Sequence, residues 1–113
     1  MQMPKVSELA RKRLESLISG DKRVVVRMMF GQPAGFVNGN LCLGTFGAEL
    51  FVRLNGSDFG TVSRIKGVHP FEPMPGRPMK HYAVLPPALL GKTAEARGWV
   101  QRSIEYVLTL PPK

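Results

Sequence analysis

The sequence predicts a single α+β domain: an antiparallel sheet of about five strands, built mainly as a meander, with an N-terminal helix and a C-terminal helix packed on it. Short apolar runs separated by turn dipeptides fill residues 23–54, as in a series of hairpins. Apolar residues recur at helical spacing over residues 7–19 and again over residues 93–110. We expect residues 1–113 to form one domain, because no linker, repeat or low-complexity segment divides them.

The first predicted element is a helix over residues 7–19. Ser7 can accept hydrogen bonds from the free amides of the first turn, and Gly20 can adopt the left-handed conformation that ends a helix. The residues expected on its buried face are Val6, Leu9, Ala10, Leu14, Leu17 and Ile18. Its solvent side is basic and, with Lys22 and Arg23, makes the densest basic region of the chain.

The meander follows from strand and turn signals in residues 23–54. Residues 24–26 are all valine, a β-branched residue that favours strands. Asn38-Gly39 is the strongest turn signal, since both residues tolerate the positive φ of a tight type I′ hairpin. A further turn is expected at 46–49, before a strand at 50–54, and the glycines between 30 and 35 indicate another tight turn or a bulge.

The second half of the chain is less regular. Residues 55–66 predict a short helix. Residues 68–78 contain four prolines, at 70, 73, 75 and 78, and therefore predict a rigid extended loop outside the sheet centre. Residues 79–85 alternate as a strand does, and Pro86-Pro87 ends that strand and begins a helical turn that reaches Leu90.

The last predicted element is a helix over residues 93–110, ended by two prolines. Its apolar stripe predicts a long face packed on the sheet. The residues of that stripe are Ala96, Trp99, Val100, Ser103, Ile104, Val107 and Leu108.

Several motifs in the same order resemble the N-terminal domain of the TfoX/Sxy family of bacterial competence regulators. The matching segments are residues 27–31 (RMMFG), 35–39 (GFVNG), 50–55 (LFVRLN), 67–71 (GVHPF), 79–82 (MKHY) followed by Leu85-Pro86, and a late helix with Trp99. The chain departs from the family pattern at Gln32, at Leu41-Cys42, and at Arg53 and Asn55, where a second glycine, Met-Phe, Lys and Asp are usual. The resemblance implies a stand-alone regulatory module without the second, C-terminal domain of the full-length regulators.

Composition narrows the function classes. Sixteen Lys and Arg against eight Asp and Glu give a net charge of +8 and a pI near 10.3, which would attract polyanions. The single Cys42 cannot form an internal disulfide. No signal-peptide pattern or long apolar run occurs, so we expect a soluble cytoplasmic protein that does not bind membranes.

The inventory of reactive side chains predicts no catalytic, cofactor or metal site. His69 precedes a proline in a loop and His81 lies on a predicted strand, so no ligand spacing links them with Cys42. The carboxylates are scattered, and residues 30–35 lack the lysine and the following helix of a phosphate-binding loop. The sequence therefore predicts a protein that is not an enzyme.

Three functions follow as alternatives. The resemblance implies an interaction module that acts in transcription control through a protein partner; if the strand at 79–82 lies at a sheet edge, it could also support a homodimer. The charge favours nonspecific nucleic-acid binding. A pocket between the sheet and the last helix could bind a small molecule. The predicted partner or nucleic-acid contacts are Arg11, Lys12, Lys22, Arg23, Met74, Lys80 and Tyr82.

Overall fold

Six strands form one antiparallel sheet, and the long helices pack on one face of it. The computed structural model describes residues 4–113. In chain order the elements are α1 (Glu8–Leu17), β1 (Val25–Met29), β2 (Gln32–Val37), β3 (Asn40–Phe46), β4 (Glu49–Arg53), α2 (Gly56–Val62), β5 (His69–Pro70), β6 (Tyr82–Leu85), α3 (Pro87–Leu90) and α4 (Thr93–Leu108). The predicted α+β class, with a meander and two terminal helices, is confirmed.

The strands lie in the order β1-β2-β3-β4-β6-β5, so β1 and β5 form the two edges. The strand beyond the predicted five or so is β5, a two-residue pairing formed by His69 and Pro70 against β6. The strand predicted over 79–85 begins only at Tyr82, because residues 79–82 form a tight turn in which the amide of Tyr82 donates to the carbonyl of Met79. That strand lies between β4 and β5, so it does not supply the free edge considered for a homodimer.

Three tight turns join the first four strands. Asn38 and Gly39 have φ of 51° and 82° between the paired residues Val37 and Asn40, which confirms the predicted hairpin. Phe30 and Gly31 form an equivalent turn between β1 and β2, with φ of 54° and 73°. A bulky aromatic residue at positive φ is unusual, since the left-handed region suits Gly and Asn. The β2–β3 register also shifts at Gly35 and Phe36, so the predicted turn and bulge both occur.

Helix α1 begins and ends as its sequence predicts. The side chain of Ser7 accepts from the amide of Ala10 at 3.2 Å, and Gly20 has φ of 79° just beyond the helix. The predicted face is wrong at Leu9, which is 59% exposed, because α1 turns only a narrow stripe toward the sheet and α4. Leu108 of α4 was also expected inside and is 39% exposed at the end of the helix.

The sheet carries a core on each face. The helix-side core contains the inward residues of α1, α3 and α4 against β2, β3, β4 and β6. The opposite face carries a smaller cluster in which Phe71, from the loop after β5, stacks on Phe51 with ring centroids 4.0 Å apart. The proline-rich loop therefore covers this second face where β4 and β6 lie. No helix in residues 4–113 has the length and apolar character needed to cross a lipid bilayer.

Candidate interaction surface

Strand β1 is an open edge whose side chains are exposed along most of its length. It pairs with β2 on one side and, among residues 4–113, with no strand on the other. The exposed fractions are 52% for Val25, 48% for Val26, 62% for Met28 and 55% for Phe30. An exposed apolar strand edge is a template for pairing with another chain. We call residues 25–30 the β1 edge.

The backbone of β1 alternates between groups that bond to β2 and groups that point away from the sheet. Because Phe30 and Gly31 form a tight two-residue turn, the flanking pair of Met29 and Gln32 is a hydrogen-bonded pair. Every second residue of β1 shares this arrangement, so Arg27 also bonds to β2. We infer that Val26 and Met28 each direct one amide and one carbonyl outward, toward an added strand.

The side chains of β1 divide between the two faces of the sheet. Val26 lies opposite Gly35, which lies opposite Leu43 of the helix-side core, so Val26 and Met28 point to the helix side. Arg27 points to the opposite face. Helices α1 and α4 pack mainly over β3 and β4, which leaves Val26 and Met28 exposed on the helix side.

Basic residues accompany this edge. Arg27 is exposed in the middle of β1, and Lys22 is exposed just before the strand. Arg23 donates to the two carboxylate oxygens of Asp21 at 2.9 and 2.7 Å and to the side-chain carbonyl of Gln101 at 3.0 Å. These hydrogen bonds lower the pKa of Asp21 from 3.8 to about 2. Arg23 thus ties the start of β1 to α4, while Lys22 and Arg27 keep exposed charges.

The basic side of α1 is partly neutralised within the helix. Arg11 donates to Glu8 at 2.7 Å and to Glu15 at 2.8 Å. The hydrogen bond from Arg11 lowers the pKa of Glu8. Lys12 is exposed on the same helix. Of the predicted basic contacts, Arg11 and Arg23 are therefore engaged with carboxylates of their own chain.

The predicted contacts around the proline-rich loop differ in exposure. Met74 is 49% exposed and Lys80 is exposed, in the turn before β6. Tyr82 is only 8% exposed, and its ring packs edge-on against Phe51. Burial raises the pKa of the Tyr82 hydroxyl. Because the loop folds over it, the Tyr82 side chain belongs to the second core and is not available as a surface contact.

The reactive side chains do not converge. The Cys42 thiol is buried 3.1 Å from the hydroxyl of Ser103, which donates to the Cys42 carbonyl at 3.0 Å. Burial raises the pKa of the thiol to about 11, so it is protonated at neutral pH. His69 lies 3.5 Å from the carboxylate of Glu49, in an exposed pair. No group of three metal-ligating side chains occurs within the described part of the chain.

An open groove of about 490 Å³ lies beside α3. Its lining is mainly apolar, with Ile65, Pro86 and Leu89 among the residues, and includes Lys66 and Lys92. It does not lie between the sheet and the last helix, where a small-molecule pocket was considered.

These features describe a sheet domain with helices on one face, a loop on the other and one open apolar edge. The chain belongs to the TfoX N-terminal domain family: the family model described as "TfoX N-terminal domain" matches residues 16–107. The resemblance drawn from the motifs is confirmed, and the chain is a member of a family of competence-regulator-like domains. No curated protein and no solved structure matches it.

Sequence reasoning did not select the β1 edge as a contact surface. The apolar run 24–26 was correctly assigned to a strand, but its position at the edge depends on strand order. One signal was present in the sequence: Val25 and Val26 are apolar in succession, without the alternation expected when one face is buried.

Proposed function

We propose that this domain is a non-enzymatic interaction module that acts in transcription control through protein contacts, in the bacterial cytoplasm. The observation that carries this proposal is the β1 edge, where four large apolar side chains are about half exposed beside outward backbone groups. An open apolar edge exposes unpaired backbone groups that favour pairing with another chain. Family membership supports the regulatory context.

The chemistry of the described residues supports a non-catalytic role. The buried Cys42 thiol is protonated and is hydrogen-bonded to Ser103, so it is a poor nucleophile. His69 and Glu49 form an exposed pair, and the other ring nitrogen of His69 lies 3.0 Å from the carbonyl oxygen of Pro70. Catalysis requires a nucleophile with a base, convergent carboxylates or a metal centre.

Nonspecific nucleic-acid binding is a second candidate, favoured by the net charge of +8. The ion pairs of Arg11, Arg23 and Arg102 with carboxylates of the same chain weaken it, because those cations are already partly compensated. Fluorescence anisotropy of labelled duplex DNA at about 50 and about 200 mM salt tests it, since phosphate-driven binding weakens by orders of magnitude across that range. Absence of binding at the lower salt concentration would eliminate this candidate.

Transcript profiling of cells that lack the gene tests the proposal. The deletion strain is complemented with the wild type, with an edge variant (Val26→Lys and Met28→Lys) or with a matched control (Val6→Lys and Leu9→Lys). Both variants place two lysines on exposed apolar positions, so they share the change of charge and hydrophobicity. We expect the wild type and the control to restore the transcript pattern and the edge variant to fail.

The proposal is contradicted if deletion leaves transcripts unchanged or if the edge variant restores them fully. Circular dichroism and thermal melting of both variants verify that each is folded, because surface substitutions of this kind usually change stability little.

A further inference from the structure

We propose that the β1 edge binds an extended acidic segment of a partner protein as an additional antiparallel strand. This inference rests on the proposed function and specifies the chemistry of the partner. The segment would carry apolar side chains toward the helix side of the sheet and an acidic side chain opposite Arg27. Three independent features of the edge lead to this description: its backbone groups, its side chains and its charge.

The backbone groups set the register. Val26 and Met28 direct their amide and carbonyl groups outward, so the two partner residues opposite them exchange hydrogen bonds with β1. The partner residue between those two lies opposite Arg27. Arg27 itself bonds to β2 and forms a non-hydrogen-bonded pair with the added strand, in which side chains approach closely.

The side chains set the preference for alternating residues. Val26 and Met28 are 48% and 62% exposed on the helix side and would be covered by two apolar side chains of the added strand. On the opposite face, Arg27 is exposed and forms no ion pair with a carboxylate of residues 4–113. A directly opposed acidic residue would stabilise the pair, whereas a basic residue would destabilise it.

The wider charge distribution favours the same partner. Lys22 is exposed before β1, and the one acidic residue there, Asp21, is already engaged by Arg23. The whole chain carries a net charge of +8, which attracts an acidic segment over a longer range.

A second copy of the chain fits this edge less well. In a symmetric dimer, two β1 strands would pair antiparallel about a central residue. The outward backbone groups of Val26 and Met28 can pair if that central residue is Val26, Arg27 or Met28. Centred on Arg27, it places two guanidinium groups directly opposite each other; centred on Met28, it pairs Val26 with Phe30, whose φ of 54° is not that of a strand. Centred on Val26, it requires the amide of Val24, which already donates to the Asp21 carbonyl at 3.4 Å.

Phe30 supports an occupied edge. A phenylalanine in the left-handed conformation is disfavoured, and Asn-Gly is the usual choice for this turn. Its ring is nevertheless 55% exposed at the end of the edge. Strained residues of this kind concentrate where a contact compensates for them.

The test uses two synthetic peptides and the intact protein. The first is the acetylated and amidated peptide Thr-Glu-Val-Glu-Val-Glu-Thr, whose central glutamate would lie opposite Arg27; the second replaces each glutamate with lysine. Titrations followed by amide NMR shifts and by calorimetry compare wild type, Arg27→Glu and Lys12→Glu. The two variants change the net charge equally, but only Arg27 lies on the edge.

We expect the glutamate peptide to bind the wild type about tenfold more tightly than the lysine peptide, because the charge opposite Arg27 is reversed and the chain carries a net charge of +8. The shifts should concentrate on residues 24–30. Arg27→Glu should reverse the preference between the peptides, and Lys12→Glu should retain it. The inference is overturned if neither peptide binds at about 1 mM, if the shifts concentrate on α1, or if Lys12→Glu lowers the preference as much as Arg27→Glu.

Sedimentation equilibrium and hydrogen exchange without peptide test for a homodimer. A dimer in which the amides of Val26 and Met28 are protected from exchange would assign the edge to a second copy. The outcomes also separate the two proposals. If the edge variant fails to restore the transcript pattern but neither peptide binds, the proposed function is retained and the acidic strand is rejected. If the glutamate peptide binds at the β1 edge but the edge variant restores the transcript pattern, the proposed function is rejected instead.

Discussion

The two edges of the sheet are built in opposite ways. At one edge β5 is only two residues long and includes Pro70, whose ring nitrogen cannot donate to an added strand. At the other edge β1 is five residues long, contains no proline and exposes apolar side chains. Short strands, prolines and covering loops are the devices by which proteins prevent pairing between sheets. The described residues place these devices at β5 and leave β1 without them.

The protected edge is held by backbone and ring contacts of Phe71. Its amide donates to the carbonyl of Tyr82 and its carbonyl accepts from the amide of Met79, both at 2.8 Å. Its ring stacks on Phe51 and meets the edge of Phe46. The residues after β5 are thereby held over the sheet, whereas Val25, Val26, Arg27 and Met28 of β1 remain exposed.

Replacement of this anchor should have the largest effect on stability. We expect Phe71→Ala to lower the free energy of unfolding by about 3–5 kcal/mol, because a fully buried ring is lost and a cavity remains. Met28→Ala on the open edge is the matched comparison and should cost less than about 0.5 kcal/mol. Urea unfolding followed by tryptophan fluorescence measures both; equal losses would show that the two edges are equally packed.

The start of the open edge depends on an ionised carboxylate. We expect Asp21→Asn to destabilise the protein at pH 7 by less than Phe71→Ala does, since it weakens the bonds from Arg23. The pKa of Asp21 is lowered from 3.8 to about 2 in the folded protein, so its contribution is fully present above pH 3.8 and is lost as the pH falls through about 2. Unfolding of wild type and variant across this range measures the difference. A difference that persists unchanged below pH 2 would contradict the assignment.

A substitution in the turn at the end of the open edge should stabilise the protein. Phe30→Asn places a residue that tolerates positive φ before Gly31, and we expect it to raise the free energy of unfolding by about 1 kcal/mol. Thermal melting measures the gain, and Asn38→Phe at the other hairpin is the reverse control, expected to lose a similar amount. A loss of stability in Phe30→Asn would mean that the exposed ring packs on the domain itself.

The smallest effect on stability is expected at Val26. Val26→Pro removes an outward amide, so it should change the free energy of unfolding by less than about 0.5 kcal/mol while abolishing strand addition. Arg27→Pro removes an amide that bonds to β2 and should be clearly destabilising. Hydrogen exchange provides an independent check: the amides of Val26 and Met28 should exchange faster than that of Arg27. The opposite order would mean that the amide of Arg27 points outward and that those of Val26 and Met28 bond to β2.

Local signals predicted the parts of the fold that local interactions determine. Asn38-Gly39 specified its hairpin because the turn needs positive φ at both residues. Ser7 and Gly20 likewise marked the limits of α1. Glu8, Arg11 and Glu15 are three and four residues apart, so they share one face of α1. This spacing is sufficient to predict the two ion pairs of Arg11.

The remaining features depend on contacts between distant residues. Strand order decides that β1 is an edge and that β6 is not, and no local pattern encodes that order. Tyr82 is buried because Phe71 folds back over Phe51. The candidate surface therefore became visible only when residues 25–30 were placed relative to the rest of the sheet.

The buried thiol of Cys42 gives this protein an internal reporter of its own opening. The sulfur lies 3.1 Å from the Ser103 hydroxyl of α4 and is fully buried, so a thiol reagent can reach it only when the helix-side core opens. The single cysteine makes the signal unambiguous. The labelling rate therefore reports how often the core around Cys42 opens. A ligand that binds at the β1 edge would slow labelling only if it stabilised the whole domain against opening.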